Sequence, residues 1–122
     1  MFLRPYRLHG DSYIELQKCG KKHLRFFRVK HEKPDSLYIR AADFERFFEQ
    51  YGGILRCARL PHGKTGFNAY GINYYDPQTT QALRRIIESS CLDDHQLVAA
   101  WLKSCRAGNR GFYVLGGKLC GN

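Results

Sequence analysis

Acidic residues are scarce in this chain. Its 122 residues hold 11 Asp and Glu against 20 Lys and Arg, a formal net charge of +9. That balance favours an anionic partner, with nucleic acid first and a membrane surface or an acidic protein behind it. Long apolar runs are missing as well. No stretch is long enough to span a bilayer, and the opening MFLRPYRLHG has no uninterrupted apolar core of signal-peptide length. A cytosolic protein is the expectation. Catalytic signatures are also lacking: there is no HxH, HExxH, GxSxG or GxGxxG. Gly63-Lys64-Thr65 has the tripeptide of a phosphate loop, but position 58 is alanine where that loop needs glycine. The segment also precedes a strand candidate, so it reads as a turn. The five histidines, His9, His23, His31, His62 and His95, fall in five separate contexts. No catalytic residue and no cofactor is expected.

Paired cysteines are absent too. Cys19, Cys57, Cys91, Cys105 and Cys120 make an odd set with no CxxC. They read as reduced thiols, with Cys57 and Cys105 as small core residues. The one metal alternative is a zinc site on Cys91, His95 and Cys105, and the lack of tighter ligand pairs argues against it.

What is present supports one folded domain over residues 1–122. Hydrophobic residues make up 43% and aromatics 14%, enough to exclude disorder and to build a core. Charge is uneven. Residues 1–34 hold nine Lys and Arg against three acids, and no acid falls between Glu15 and Glu32. Ser12 to Lys18 alternates, with Ile14 and Leu16 on one face and Tyr13, Glu15 and Gln17 on the other. Cys19-Gly20-Lys21-Lys22 reads as a turn, and His23 to His31 as the returning strand of a basic N-terminal β-hairpin. The alternative is a solvated face whose lysines blunt an edge strand.

From Ser36 the chain reads strand, helix, strand, strand, helix. Leu37 to Arg40 is β-prone, although Leu37, Ala41, Phe44, Phe48 and Tyr51 also fit one continuous helix. A helix starting near Asp43 carries Phe44, Phe47, Phe48 and Tyr51 on one face, and Gly52-Gly53 is expected to stop it. Ile54 to Leu60 and Phe67 to Tyr75 are strand candidates around a turn at Gly63. Asp76-Pro77 opens a second helix, a capping carboxylate followed by a proline at the first helical position. Ala82, Leu83, Ile86 and Ile87 form its expected core face. A third helix capped by Asp93 and stopped by Gly108 carries Val98, Trp101, Leu102 and Cys105. Gly111 to Leu115 is the last strand of a 36–116 core, and 117–122 a loose tail.

Asp43 to Ile54, ending in aromatic-glycine-x-isoleucine, resembles the first helix of the RNA recognition motif family. Lys64-Thr65-Gly66-Phe67 and Tyr70-Gly71-Ile72-Asn73-Tyr74 fall where the family's longer signature lies, and Leu37-Tyr38-Ile39 where its shorter one does. The likeness covers about residues 36–90. It implies an α+β fold, a two-layer split βαβ (ferredoxin-like) sheet with helices on one face. The basic hairpin precedes that core, and the third helix is an addition to it.

The expected function is non-catalytic binding of single-stranded nucleic acid or RNA. Phosphate neutralisation by cations and stacking of bases on aromatic rings would carry it. The candidate cations are Lys18, Lys21, Lys22, Arg25, Arg28, Lys30, Arg56, Arg59 and Lys64. The candidate platforms are Tyr38, Phe67 and Tyr70, with Phe27 and Phe112 behind them. For any one ring the plainer role is core packing. The alternative function is a small protein-interaction module or inhibitor that docks on an acidic surface or a nucleoprotein complex.

Overall fold

Two-residue alternation builds the strands of this molecule, and three- and four-residue spacing builds the helices that cover them. The computed structural model describes residues 13–19, 36–90, 92, 95–105 and 109–116. The expected returning strand at 23–31, the cap at Asp93, the stop at Gly108 and the tail at 117–122 lie outside the described residues. In chain order the elements are β1 (Tyr13–Lys18), β2 (Leu37–Arg40), α1 (Ala41–Leu55), β3 (Ala58–Arg59), β4 (Thr65–Gly66), β5 (Ile72–Tyr75), α2 (Pro77–Ser90), α3 (Gln96–Ser104) and β6 (Phe112–Leu115). Residues 37–40 are a strand, so the continuous-helix alternative falls.

The described strands form one antiparallel sheet in the order β2-β1-β6-β5-β3-β4. With helices packed on it the molecule is a two-layer α+β fold. Its strand order differs from the ferredoxin-like one, which sets the first strand of the unit inside the sheet. Here β2 is outermost among the described strands, because β1 takes the inner place. Leu16 of β1 lies opposite Leu37 of β2 on one edge and Val114 of β6 on the other. With both edges occupied there, β1 pairs along these residues with β2 and β6 in place of the expected hairpin partner. The third helix has a topological effect as well. Two helices in succession return the chain against its starting direction, so β5 and β6 are antiparallel neighbours.

One face of the sheet meets the helices. Ile14, Leu16, Leu37, Ile39, Phe112 and Val114 join Phe44, Phe47, Tyr51, Leu55, Leu83, Ile87, Val98 and Leu102 in a single buried cluster. Each such side chain contributes on the order of 1.5–3 kcal/mol on burial. On α1 the buried stripe is Phe44, Phe47, Tyr51 and Leu55, at spacings of three, four and four. Phe48 lies on its flank and is half-buried. Gly52-Gly53 does not stop α1. The helix kinks at Tyr51 (φ −118°, ψ 19°), continues to Leu55, and has Arg56 as its C-cap, whose N–H donates to the Gly52 carbonyl at 3.0 Å. No left-handed residue is needed at that end, so the glycine pair is spared the role the sequence suggests.

The start of α2 is as expected. The Asp76 carboxylate accepts from the Thr79 N–H at 2.8 Å, satisfying one orphan donor of the first turn. Its buried residues are Thr80, Leu83 and Ile87, whereas Ile86 is 46% exposed. The core stripe is therefore rotated from the expected one toward α3, to which α2 is tied by the Gln81 Nε2 bond to the Leu102 carbonyl (3.1 Å). The candidate at Ile54 to Leu60 shrinks to Ala58–Arg59 and that at Phe67 to Tyr75 to Ile72–Tyr75, while Thr65–Gly66, in the stretch read as a turn, forms a short strand of its own. Between β3 and β4, Gly63 turns the chain at φ +93°, a conformation glycine adopts without a Cβ penalty. No helix among the described residues is long and apolar enough to cross a membrane.

Candidate functional site

Three of the four described candidate cations lie on or beside the β3–β4 ribbon. Its turn is closed by the Leu60 N–H bond to the Lys64 carbonyl (2.9 Å) and the Gly63 N–H bond to the Leu60 carbonyl (2.8 Å). Arg56, Arg59, His62 and Lys64 are all exposed on it or at its base. The Arg56 guanidinium lies 5.0 Å from the Phe48 ring centroid, a cation–π contact that holds it without neutralising it. Neither Arg56 nor Lys64 makes an ion pair among the described residues. One sequence signal for this surface was missed: residues 50–75 hold no Asp or Glu at all. Arg59 stands opposite Tyr74 in register, and its charge partly opposes the effect of burial on that phenol.

Lys18 is separate from the ribbon. Its Nζ sits 5.7 Å from the Trp101 ring centroid, on the helix side of the sheet. Lys21, Lys22, Arg25, Arg28 and Lys30 lie outside the described residues.

The aromatic candidates divide three ways. Tyr38 is half-buried, and its hydroxyl donates to Glu15 Oε2 at 3.4 Å. Phe67 packs on the helix layer, 4.7 Å from Phe48 and 5.9 Å from Phe44 between ring centroids. Tyr70 is 73% exposed. The sheet face away from the helices is closed. Glu15 is 2% exposed, Gln17 1% and Tyr113 3%, with Tyr74 and Leu115 also buried. Phe112 is a core residue. The rings are therefore not gathered into a stacking platform on an exposed sheet.

Tyr70 instead stands at the edge of a groove of about 520 Å³ between α1 and the segment 67–70. Phe44, Phe48, Phe67 and Ile14 supply its apolar lining, and Glu45 and Glu49 add carboxylates. Buried Asn73 holds the segment in place. It accepts from the Asn68 N–H at 2.7 Å and donates from Nδ2 to the Asn68 and Val114 carbonyls at 2.9 and 3.0 Å. A Cβ at Gly116 would lie 2.6 Å from the Tyr70 Cα, so this approach requires glycine.

The remaining candidates are dispersed. Cys105 is buried in the core, but Cys57 is exposed and its thiol turns back to the Gly53 carbonyl (3.6 Å). It follows the end of α1, where the chain has left the packed stripe, and so is not the core residue expected. His95 is buried under the helices with its Nδ1 2.7 Å from the Tyr51 hydroxyl. Ser90 donates its own proton to the Ile87 carbonyl (2.6 Å), so its oxygen is left to accept from Tyr51 at 3.0 Å. Among the described residues no group of three His, Cys, Asp or Glu is placed to hold a metal ion, and Cys91 lies outside them. Compared with family models, with curated proteins and with solved structures, the chain matches none.

Proposed function

We propose that this chain is a non-catalytic nucleic-acid-binding protein that grips phosphates through the β3–β4 ribbon. Supporting this reading is one observation: Arg56 at the C-cap of α1, Arg59 on β3 and Lys64 in the β3–β4 turn are all exposed, within a 26-residue stretch (50–75) free of acid. Phosphates gain from such a surface by releasing condensed counterions, with little dependence on base sequence. The acid-free run containing Lys18, Lys21, Lys22, Arg25, Arg28 and Lys30 adds to the same positive field. RNA or single-stranded DNA is the preferred ligand, in line with the family resemblance of residues 36–90. With Phe67 packed and Tyr38 half-buried, phosphate contact outweighs stacking.

Fluorescence polarisation with single-stranded RNA, single-stranded DNA and duplex DNA across a salt series tests this. Binding should weaken steeply with salt. Replacing Arg56, Arg59 and Lys64 together by Gln should flatten the log–log slope by about two units, at roughly 0.7 per contact on a single strand. An unchanged slope for the triple variant would sink the proposal.

A further inference from the structure

The groove beside Tyr70 has the wrong charge for phosphate. Glu45 and Glu49 stand one turn apart on α1 at its border, and neither makes an ion pair among the described residues. On a protein of net charge +9 this is a local reversal of sign. Its lining of Phe44, Phe48, Phe67 and Ile14 accepts an apolar group, and its volume of about 520 Å³ falls in the range of ligand-sized clefts. The wall is fixed in advance by the Asn68–Asn73 bonds, so a ligand would not have to order it. Tyr70, 73% exposed, offers a large ring with a polar tip, the kind of residue that anchors protein contacts.

We propose that this groove docks a peptide segment of a partner protein in which a Leu, Phe or Trp side chain stands next to Lys or Arg. The apolar side chain fills the space over Phe44, Phe48 and Phe67, and the cation meets Glu45 and Glu49. Charge complementarity selects this occupant over a nucleic acid, whose phosphates the two carboxylates repel. The inference does not rest on the ribbon's role, although the groove adjoins the ribbon: Phe48 lines the groove and also meets the Arg56 guanidinium.

An array of short synthetic peptides tests it, with Ala, Leu, Phe or Trp at the centre and Arg, Lys or Glu flanking. Each is titrated into the isotope-labelled full chain while amide chemical shifts are followed. Peptides with a large apolar centre and cationic flanks should bind saturably and move Ala42, Glu45, Ala69 and Tyr70. Glu-flanked and Ala-centred peptides should not. Glu45→Gln with Glu49→Gln should weaken the best peptide about fivefold and remove its salt dependence. Tyr70→Ala should weaken it about tenfold. All three side chains are exposed, so the fold survives these changes, and the Arg56, Arg59 and Lys64 triple variant should bind the peptide no less well. Equal binding of Glu-flanked peptides, shifts confined to other surfaces, or no saturable binding by any peptide would overturn the proposal. So would groove shifts that depend on protein concentration without peptide, which would mark a second copy as the occupant. An oligonucleotide that moved the same amides would assign the groove to the ribbon's ligand instead.

Discussion

Both faces of the central sheet are buried, yet they are built from different chemistry. Along β1 alone, Ile14 and Leu16 turn toward the helices while Glu15 and Gln17 turn away, and all four are buried. The helix side is an apolar cluster whose stabilisation scales with area removed from water. The other side carries Glu15, Gln17, Cys19, Tyr74, Tyr113 and Leu115, with Gln17 Nε2 donating to Glu15 Oε2 at 3.1 Å. Such a layer adds little net stability when satisfied and costs a good deal when one partner is removed. Alternation of apolar and polar residues therefore marks two faces of a strand without saying that the polar one meets solvent.

The largest expected effects lie on the helix side. Phe47→Ala should cost about 3–5 kcal/mol in urea unfolding, since Phe47 is 1% exposed at the centre of the stripe. Phe48→Ala, on the flank, should cost clearly less. A reversed order would mean that the helix is rotated from the described phase. Leu16→Ala should lose about 2–5 kcal/mol. Its neighbour Glu15→Ala should lose about 1–3 kcal/mol, because Gln17 is then buried without this acceptor. If Glu15→Ala were neutral, the far side of the sheet would be open to water and the comparison between the faces would collapse.

Adjacent tyrosines on β5 report the two faces through pH. Burial, aided by Cys19 and Asp76, pushes the Tyr74 phenol up to about 12. Burial raises Tyr75 further, and its hydroxyl donates to the Leu55 carbonyl at 2.7 Å. In the unfolded chain both phenols ionise near pH 10, so above that pH the unfolded state binds fewer protons and stability falls. The limit is on the order of 1.4 kcal/mol per pH unit for Tyr75. Stability should thus be flat in these groups below pH 10 and drop beyond it, with the Tyr74 share ending near pH 12. Tyr75→Phe should flatten the drop, as followed by unfolding at several alkaline pH values. A drop of the same steepness in that variant would show that Tyr75 ionises freely in the fold.

The smallest effect is kinetic protection of thiols. Cys105 belongs to the helix-side cluster, Cys19 to the far one, and Cys57 is exposed. In native protein a thiol reagent should modify Cys57 quickly, and Cys57→Ser should remove one equivalent from the fast phase. That change should shift stability by no more than about 0.5 kcal/mol. Cys19 and Cys105 should react equally slowly. A fast Cys19 beside a slow Cys105 would show that the two faces are closed to different degrees.

Local chemistry made some of this legible in the sequence. Asp76-Pro77 marks α2 because a cap and a proline at the first turn act within a few residues, and the Asp76–Thr79 bond bears this out. The α1 stripe was legible to within one position, since Phe44, Phe47 and Tyr51 are buried and Phe48 is the flank. Long-range facts were not legible. Periodicity fixes a stripe but not which side of it the next helix covers, so Ile86 read as core and is exposed. The strand order depends on which edges meet, and no local pattern near Ser12 to Lys18 says that β1 will lie between β2 and β6. Of the candidate site, the cations of the ribbon were visible by type. Their placement around the end of α1 and the β3–β4 ribbon, and the two carboxylates beside Tyr70, depend on how α1 lies against the segment 67–70.

The position of β6 has a consequence for the order of events during synthesis. It joins β2-β1 to β5-β3-β4, yet it comes last among the described elements, so no described strand bridges the two halves of the sheet until Phe112 to Leu115 has left the ribosome. Until then β1 and β5 each offer an unpaired edge, the kind that recruits other chains. Closure must bring residues 15–18 against 112–115 across most of the chain, a pairing of high contact order that forms slowly. A nascent chain stalled before residue 112 should therefore be protease-sensitive and prone to aggregate, and one released past residue 116 should close.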